Sequence, residues 1–233
     1  MILKLKGEVI SDDWAEIYRW FGYETGYFCP TDVLAAMEEL KPGEELVLHI
    51  NSVGGDVEAA AEIYSAIADC KNPVRAEIQS LAASAASYFP LACDRVDISP
   101  PAQMMIHCAS WNIGGNKFDH QWAAQQLTAT DESILDTYCR KCGEEHREEL
   151  KKLMEAETYL TARQCLELGL VDGILGDEPQ EEPKEPLALV ASAYNNAICA
   201  MRTLPDIREL KTRREQMILD MDRELETEKS RYQ

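Results

Sequence analysis

Three short segments hold the groups in this chain best suited to chemistry. Ile50-Asn51-Ser52-Val53-Gly54-Gly55-Asp56 ends an apolar stretch on two glycines, whose exposed backbone N–H groups can line a small concavity. The run from Ser80 to Ser87 (SLAASAAS) puts Ser84 where a strand turns into a helix, among alanines that leave its hydroxyl accessible. Met104-Met105-Ile106-His107 brings out an imidazole at the end of an apolar strand. Amides, hydroxyl and imidazole are the parts that acyl transfer requires: oxyanion donors, a nucleophile and a general base. Each part also has a plainer use. Ser80, Ser84 or Ser87 can cap a helix, a histidine can be a satisfied core residue, and two glycines can mark an ordinary connection. Only the combination argues for a serine hydrolase, and for a peptidase within that class.

Stepping outward, the elements that must position these groups are legible from hydrophobic period and breakers. Ile2 to Ile10 reads as a strand, followed by a loop holding Asp12, Asp13 and several aromatics. A helix from about Thr31 to Leu40 leads through Pro42-Gly43 into a strand, Glu45 to Ile50. Asp56 caps a helix running to Cys70, with Val57, Ala60, Ile63, Tyr64 and Ile67 on one face. Val74 to Gln79 is a strand and Ala85 to Cys93 a helix; Val96 to Ile98 and Gln103 to Ile106 are short strands. Strand-turn-helix thus recurs twice before His107, which predicts an α/β core with its site at strand ends. Asn51 is placed to pin the glycine turn through its side chain. A long helix, Phe118 to Cys142, stops at Gly143; shorter ones follow over Glu144 to Met154 and Ala162 to Leu168.

The folded core is expected to span 1–176, and the acidic, proline-rich stretch 177–186 (DEPQEEPKEP) reads as a linker. A helical C-terminal tail, 187–233, follows, with Ile207, Leu210, Met217, Met221 and Leu225 at helical spacing. The formal net charge of −19 opposes nonspecific binding to nucleic acid or anionic membrane. No apolar run reaches the roughly 20 residues of a membrane span and no signal-peptide h-region opens the chain, so a cytoplasmic protein with reduced thiols is expected.

Other arrangements are set aside. Cys139, Cys142 and His146 share a helical face only if the helix ran through Gly143, and a zinc site would need a fourth ligand, so no metal is expected. Cys108 follows His107 directly, and neighbouring strand residues point to opposite faces. His49 lies mid-strand, while His120 and His146 fall on charged helical surfaces.

Taken together the motifs resemble those of the ClpP family of serine peptidases over residues 1 to about 175. Asn51-Ser52-Val53-Gly54-Gly55 is similar to that family's N-S-P-G-G turn, Leu81-Ala82-Ala83-Ser84 to its nucleophile motif, and Met105-Ile106-His107 to its M-I-H. Leu160-Thr161-Ala162 with Leu168-Gly169-Leu170-Val171-Asp172 is similar to its closing motif. The resemblance implies a ClpP/crotonase-like core of repeated β-β-α units, with a protruding handle helix after Lys117. It implies Ser84 as nucleophile, His107 as base, and an oxyanion hole made by the N–H groups of Gly55 and Ala85. It further implies no cofactor, protein or peptide substrates, and homo-oligomeric rings of seven subunits enclosing a chamber.

Two departures from the pattern matter. The family's catalytic aspartate position is Glu157 here, with Glu155 as the fallback, and Val53 stands where the family has proline. Ile2 to Ile10 aligns with the first core strand, without the helix and axial loop that engage a hexameric unfoldase. With the added tail, this resembles the phage ClpP-related head maturation proteases, which act on capsid-assembly proteins without a recognised ATPase partner. The alternatives are a catalytically silent ring or scaffold subunit and an ATPase-partnered proteolytic subunit. Crotonase-group hydratases need no serine–histidine pair. Serine–lysine peptidases are disfavoured because no lysine lies between Lys71 and Lys117.

Overall fold

The computed structural model describes residues 1–177. The expected tail and all but the first residue of the expected linker lie outside them.

Alternation builds the sheet. In β1 (Ile2–Val9), β3 (Leu46–Gly55) and β4 (Val74–Ala83), Leu5, Leu48, Ile50, Ala76 and Ile78 turn into one core and are fully buried. The opposite face carries charge, with Arg75 on Glu77 at 2.5 Å, His49 on Glu77 at 3.2 Å and Arg95 on Asp97 at 2.8 Å. Together with β2 (Tyr27–Phe28), β5 (Arg95–Ile98) and β8 (Gly173–Ile174), these strands run parallel in the order β2-β1-β3-β4-β5-β8. The mixed α/β architecture with a parallel sheet and covering helices is the one expected from the sequence.

Position along β4 decides its neighbour. Arg75–Ile78 pair with β5, whereas Leu81–Ala83 pair with β6 (Gln103–Ile106). The change coincides with a register slip, in which Ile50 faces Ile78 but Ser52 faces Ala82. An antiparallel strand, β7 (Thr158–Thr161), then joins β6. Sequence reasoning missed β7 and ended β3 and β4 too early, because small and polar residues interrupt the apolar period there.

The helices follow from their caps. In α3 (Val57–Asp69), Asp56 accepts from the Ala59 N–H at 2.9 Å, and Ala60, Ile63 and Ile67 are buried. The loop expected after Ile10 is instead a helix, α1 (Asp12–Trp20), packed through Ala15 and Tyr18, three residues apart. Acidic residues in its first turn and Arg19 in its last suit the helix dipole. The expected helix from Ala85 to Cys93 breaks into α4 (Ala85–Tyr88) and a 3-10 turn, Phe89–Ala92, since Pro90 cannot extend the α-helical ladder. α2 (Pro30–Glu38) packs beside α3, with Val33 and Ala36 buried. α5 (Lys117–Cys142) starts on an Asn116 cap and ends at Gly143, with φ of 101°. A 3-10 turn, Glu144–His146, precedes α6 (Arg147–Glu155), and α7 (Ala162–Glu167) follows β7. No helix among the described residues is long and apolar enough to cross a membrane.

Candidate active site

Ser84 leaves β4 one residue past the rung that pairs Ala83 with Met105, and His107 leaves β6 two residues past the same rung. Parallel strands ending side by side therefore deliver both side chains to one place. The Ser84 Oγ lies 2.7 Å from the His107 Nε2, hydrogen-bond distance for a hydroxyl and an imidazole. Alternation places His107 on the same face as Met105, away from the main core. There a small apolar cluster of Leu81, Ala83 and Met105, with Val53 and Tyr159, underlies the site.

Ser84 holds φ of 53° and ψ of −127°, a conformation an L-residue adopts at a cost of about 1–3 kcal/mol. Several contacts impose it. Its N–H donates to the Met105 carbonyl at 2.8 Å, and its own carbonyl accepts from the Ser87 N–H at 2.9 Å and the Ser87 hydroxyl at 2.5 Å. Ser87 Oγ also meets the Tyr138 hydroxyl at 2.6 Å. A hydroxyl has one proton to give, so with Ser87 donating to Ser84, Tyr138 donates to Ser87. Burial pushes the Tyr138 phenol pKa up, which keeps that proton in place. Sequence reasoning missed both Ser87 as an anchor and Tyr138, which stands 51 residues away on α5 with no local signal of its role.

The two glycines divide their work. A Cβ on Gly54 would lie 2.5 Å from the Ala83 oxygen, 2.6 Å from the Ser84 Cβ and 2.7 Å from the Ala85 nitrogen, so only glycine allows β3 to pack against the serine turn. The Gly54 N–H is occupied, donating to Ser52 Oγ at 3.1 Å while the Ser52 hydroxyl donates to the Gly7 carbonyl at 2.6 Å. Ser52, fully buried, is thus the residue that pins this segment, and the expected Asn51 is exposed. Gly55 is exposed at the end of β3, and Ala85 opens α4 directly after Ser84.

The carboxylates stand differently. The β6–β7 ladder ends at the Ile106–Thr158 pair, one residue before His107 and one after Glu157. The Glu157 side chain is exposed on a residue with φ of 51°, and the ion pairs among the described residues join His107 to neither Glu157 nor Glu155. Asp131 of α5, not singled out from the sequence, accepts from the Ala109 N–H at 2.6 Å and so fixes the chain just after His107. Asp131 and Glu155 line a separate recess of about 250 Å³ together with Cys108. Burial, and then Asp131, raises the Cys108 thiol pKa, so the thiol in this recess is not thiolate-like. The Cys142 and Cys165 thiols are pushed up to about 12, in each case chiefly by burial. Among the described residues no group of three or more His, Cys, Asp and Glu side chains could hold a metal ion.

Comparison with known proteins adds an independent finding. The family model described as Clp protease matches residues 30–178. The chain is 34% identical over 143 residues to the ATP-dependent Clp protease proteolytic subunit 1 of Chlamydia muridarum, covering 60% of this chain and 74% of that one. The protein of the same name from Chlamydia trachomatis serovar D is 32% identical over 143 residues, again 60% of this chain and 74% of the relative. That of Protochlamydia amoebophila is 29% identical over 143 residues, 60% of this chain and 69% of the relative.

Proposed function

The chain belongs to the Clp protease family, and from that premise we propose that it is a serine endopeptidase with Ser84 as nucleophile and His107 as general base. The observation that carries the reading is the 2.7 Å contact between Ser84 Oγ and His107 Nε2, made by a serine held on a positive-φ turn. In the proposed reaction the hydroxyl attacks a peptide carbonyl as Nε2 takes its proton. The carbonyl oxygen, now negative, is held by the N–H groups of Gly55 and Ala85. Imidazolium then protonates the leaving amine, and water, deprotonated by the same nitrogen, releases the acyl group. Glu157 is assigned to orient the imidazole, by its position in the sequence motif.

The same proposal includes homo-oligomeric rings, of seven subunits by resemblance, and the capsid-maturation role of the phage-type proteins. The latter rests on the sequence resemblance alone, whereas the bacterial relatives carry the name of ATP-dependent subunits. Cleavage of a capsid-assembly protein without ATP supports the first role, and strict dependence on ATP and an unfoldase assigns the second.

A fluorophosphonate probe tests the chemistry. The wild type should label at Ser84, and neither Ser84→Ala nor His107→Ala should. Absence of labelling in the assembled wild type refutes the peptidase reading and leaves the silent ring subunit. Glu157→Gln should lower turnover by about 10³–10⁴, the scale set by neutralising the acid of a triad; near-normal turnover transfers the role to Glu155 or to no carboxylate.

A further inference from the structure

α5 reaches the reactive pair at two places, and the reaction as described uses neither. Tyr138 stands at one, where its buried hydroxyl meets Ser87 Oγ at 2.6 Å and, through Ser87, the carbonyl of Ser84. Asp131 stands at the other, its Oδ1 accepting from the Ala109 N–H at 2.6 Å. The same carboxylate is close enough to the Cys108 thiol to help raise its pKa, so it abuts both residues that follow His107. Ladder pairing gives no hold there. β6 pairs with β4 as far as Met105 and with β7 as far as Ile106, and His107 is the first residue beyond both. Asp131 and Tyr138 are two helical turns apart, about 10 Å of rise, and so lie on one face of α5. Leu135 and Tyr138 of that face are buried, which seats this part of the helix against the body of the fold.

We propose that Asp131 is a positioning residue for the general base: by holding the Ala109 N–H it fixes the course of the chain leaving His107, so that α5 sets the imidazole and the serine turn in one frame. The inference rests on the peptidase reading of Ser84 and adds a residue to it. Backbone rotation at His107 or Cys108 swings the imidazole, and a 2.7 Å contact with Ser84 Oγ tolerates little swing. With Ala109 tied to α5, those two residues are held at both ends, by the last ladder rung and by the tie. Exposed Glu132, next along the helix, provides the contrast, since its carboxylate turns to Arg147 at 3.7 Å and Lys151 at 3.8 Å. The geometry asks for an acceptor of the right reach at position 131 rather than for a charge. Asparagine offers the same acceptor oxygen on the same stem, whereas glutamate keeps the charge and carries it one methylene farther.

The test is the rate of fluorophosphonate labelling of the full-length protein as a function of pH, read well below each variant's melting temperature with circular dichroism confirming the fold. Asp131→Ala should label about 10–10²-fold more slowly than the wild type, the scale of a displacement near 1 Å. Asp131→Asn should stay within about threefold of the wild type with the midpoint of its pH profile unmoved, and Asp131→Glu should be about tenfold slower. Both keep a polar side chain at the position, so their ranking is readable even where the alanine variant does not fold. Glu132→Gln, the same change of charge one residue on, should label at the wild-type rate. Glutamate faster than asparagine, or a pH midpoint that falls in Asp131→Asn, assigns Asp131 an electrostatic action on the imidazole and overturns the proposal. Wild-type rates in Asp131→Ala and Asp131→Glu give it a merely structural role and overturn it too, the peptidase reading standing in either case. No labelling of the wild type overturns both.

Discussion

Replacing Gly54 by alanine probes the closest backbone approach in the site. Two penalties are separable. The first is conformational: φ at Gly54 is +87°, and an L-residue in the left-handed region costs about 1–2 kcal/mol. The second is steric, because the new methyl would meet the Ala83 oxygen, the Ser84 Cβ and the Ala85 nitrogen at 2.5–2.7 Å. Two of those three atoms are backbone and cannot swing aside, so overpacking adds about 1–3 kcal/mol. Gly43→Ala supplies the control, since φ there is +80° and a Cβ meets nothing within 4 Å. With about 2–4 °C of melting temperature per kcal/mol for a domain of this size, Gly43→Ala should lose roughly 2–8 °C and Gly54→Ala roughly 4–20 °C, several degrees beyond the control.

The functional consequence should be larger than the thermal one. Relief of the overlap moves the Ser84 turn away from β3, and a displacement near 1 Å costs about 10²-fold in rate when it separates a nucleophile from its base. The assay is the fluorophosphonate labelling rate below the variant's melting temperature, with circular dichroism confirming the fold. If Gly54→Ala melts with Gly43→Ala and labels at the wild-type rate, the packing of β3 against the serine turn does not set the nucleophile's position, and the reasoning fails.

Two further outcomes follow from groups around the site. Ser87→Ala leaves the buried Tyr138 hydroxyl without its partner and removes one of the two hydrogen bonds to the Ser84 carbonyl, the one from the residue 87 N–H remaining, so it should cost about 1–3 kcal/mol. Tyr138→Phe, which keeps the Ser87–Ser84 bond, should cost about 1 kcal/mol, and a double-mutant cycle on thermal unfolding should show coupling between them. Glu8 gives a pH signature. Burial first, and then Asp56, raises its folded-state pKa above the ordinary 4.5, so the folded protein binds this proton more tightly than the unfolded chain does. Its contribution is therefore favourable below the unfolded pKa and is lost as pH rises through the folded one. Glu8→Gln should raise the melting temperature at pH 7 and leave it nearly unchanged at pH 4; an equal shift at both pH values would refute the assignment.

Much of this was readable because period and punctuation agree. Leu46, Leu48 and Ile50 announce a strand by alternation, Asp56 announces the helix after it, and Gly143 announces the end of α5. The proximity of Ser84 and His107 was legible only as a conjunction of motifs, since each residue alone has a plainer use. What escaped is non-local. Nothing in the run around Tyr138 says that its hydroxyl will reach Ser87, and nothing near Asp131 says that it will hold Ala109. The helix at Asp12–Trp20 was lost because its aromatics blur the apolar period. Ser52 was passed over in favour of Asn51 because side-chain type alone does not tell which of two neighbours faces inward; the pleat does, and it buries Ser52.

The slip in β4 explains why a repeated strand-helix architecture yields a reactive centre at this point in the sheet. Two residues along β3, Ile50 to Ser52, are matched by four along β4, Ile78 to Ala82. Without the extra length, β4 would end beside β5 and its last residues would have no contact with β6. With it, Leu81–Ala83 shift onto β6, and the hydrogen bond from Ser84 to Met105 becomes the final rung of that pairing. That rung fixes Ser84 relative to the strand carrying His107, and the Gly54 contact fixes it relative to β3. A serine with positive φ between two such anchors cannot relax toward an ordinary conformation without breaking one of them. The strain at Ser84 is thus the geometric result of one strand pairing in turn with β5 and β6, and shortening the slip by deletion would remove the strain and the serine–histidine contact together.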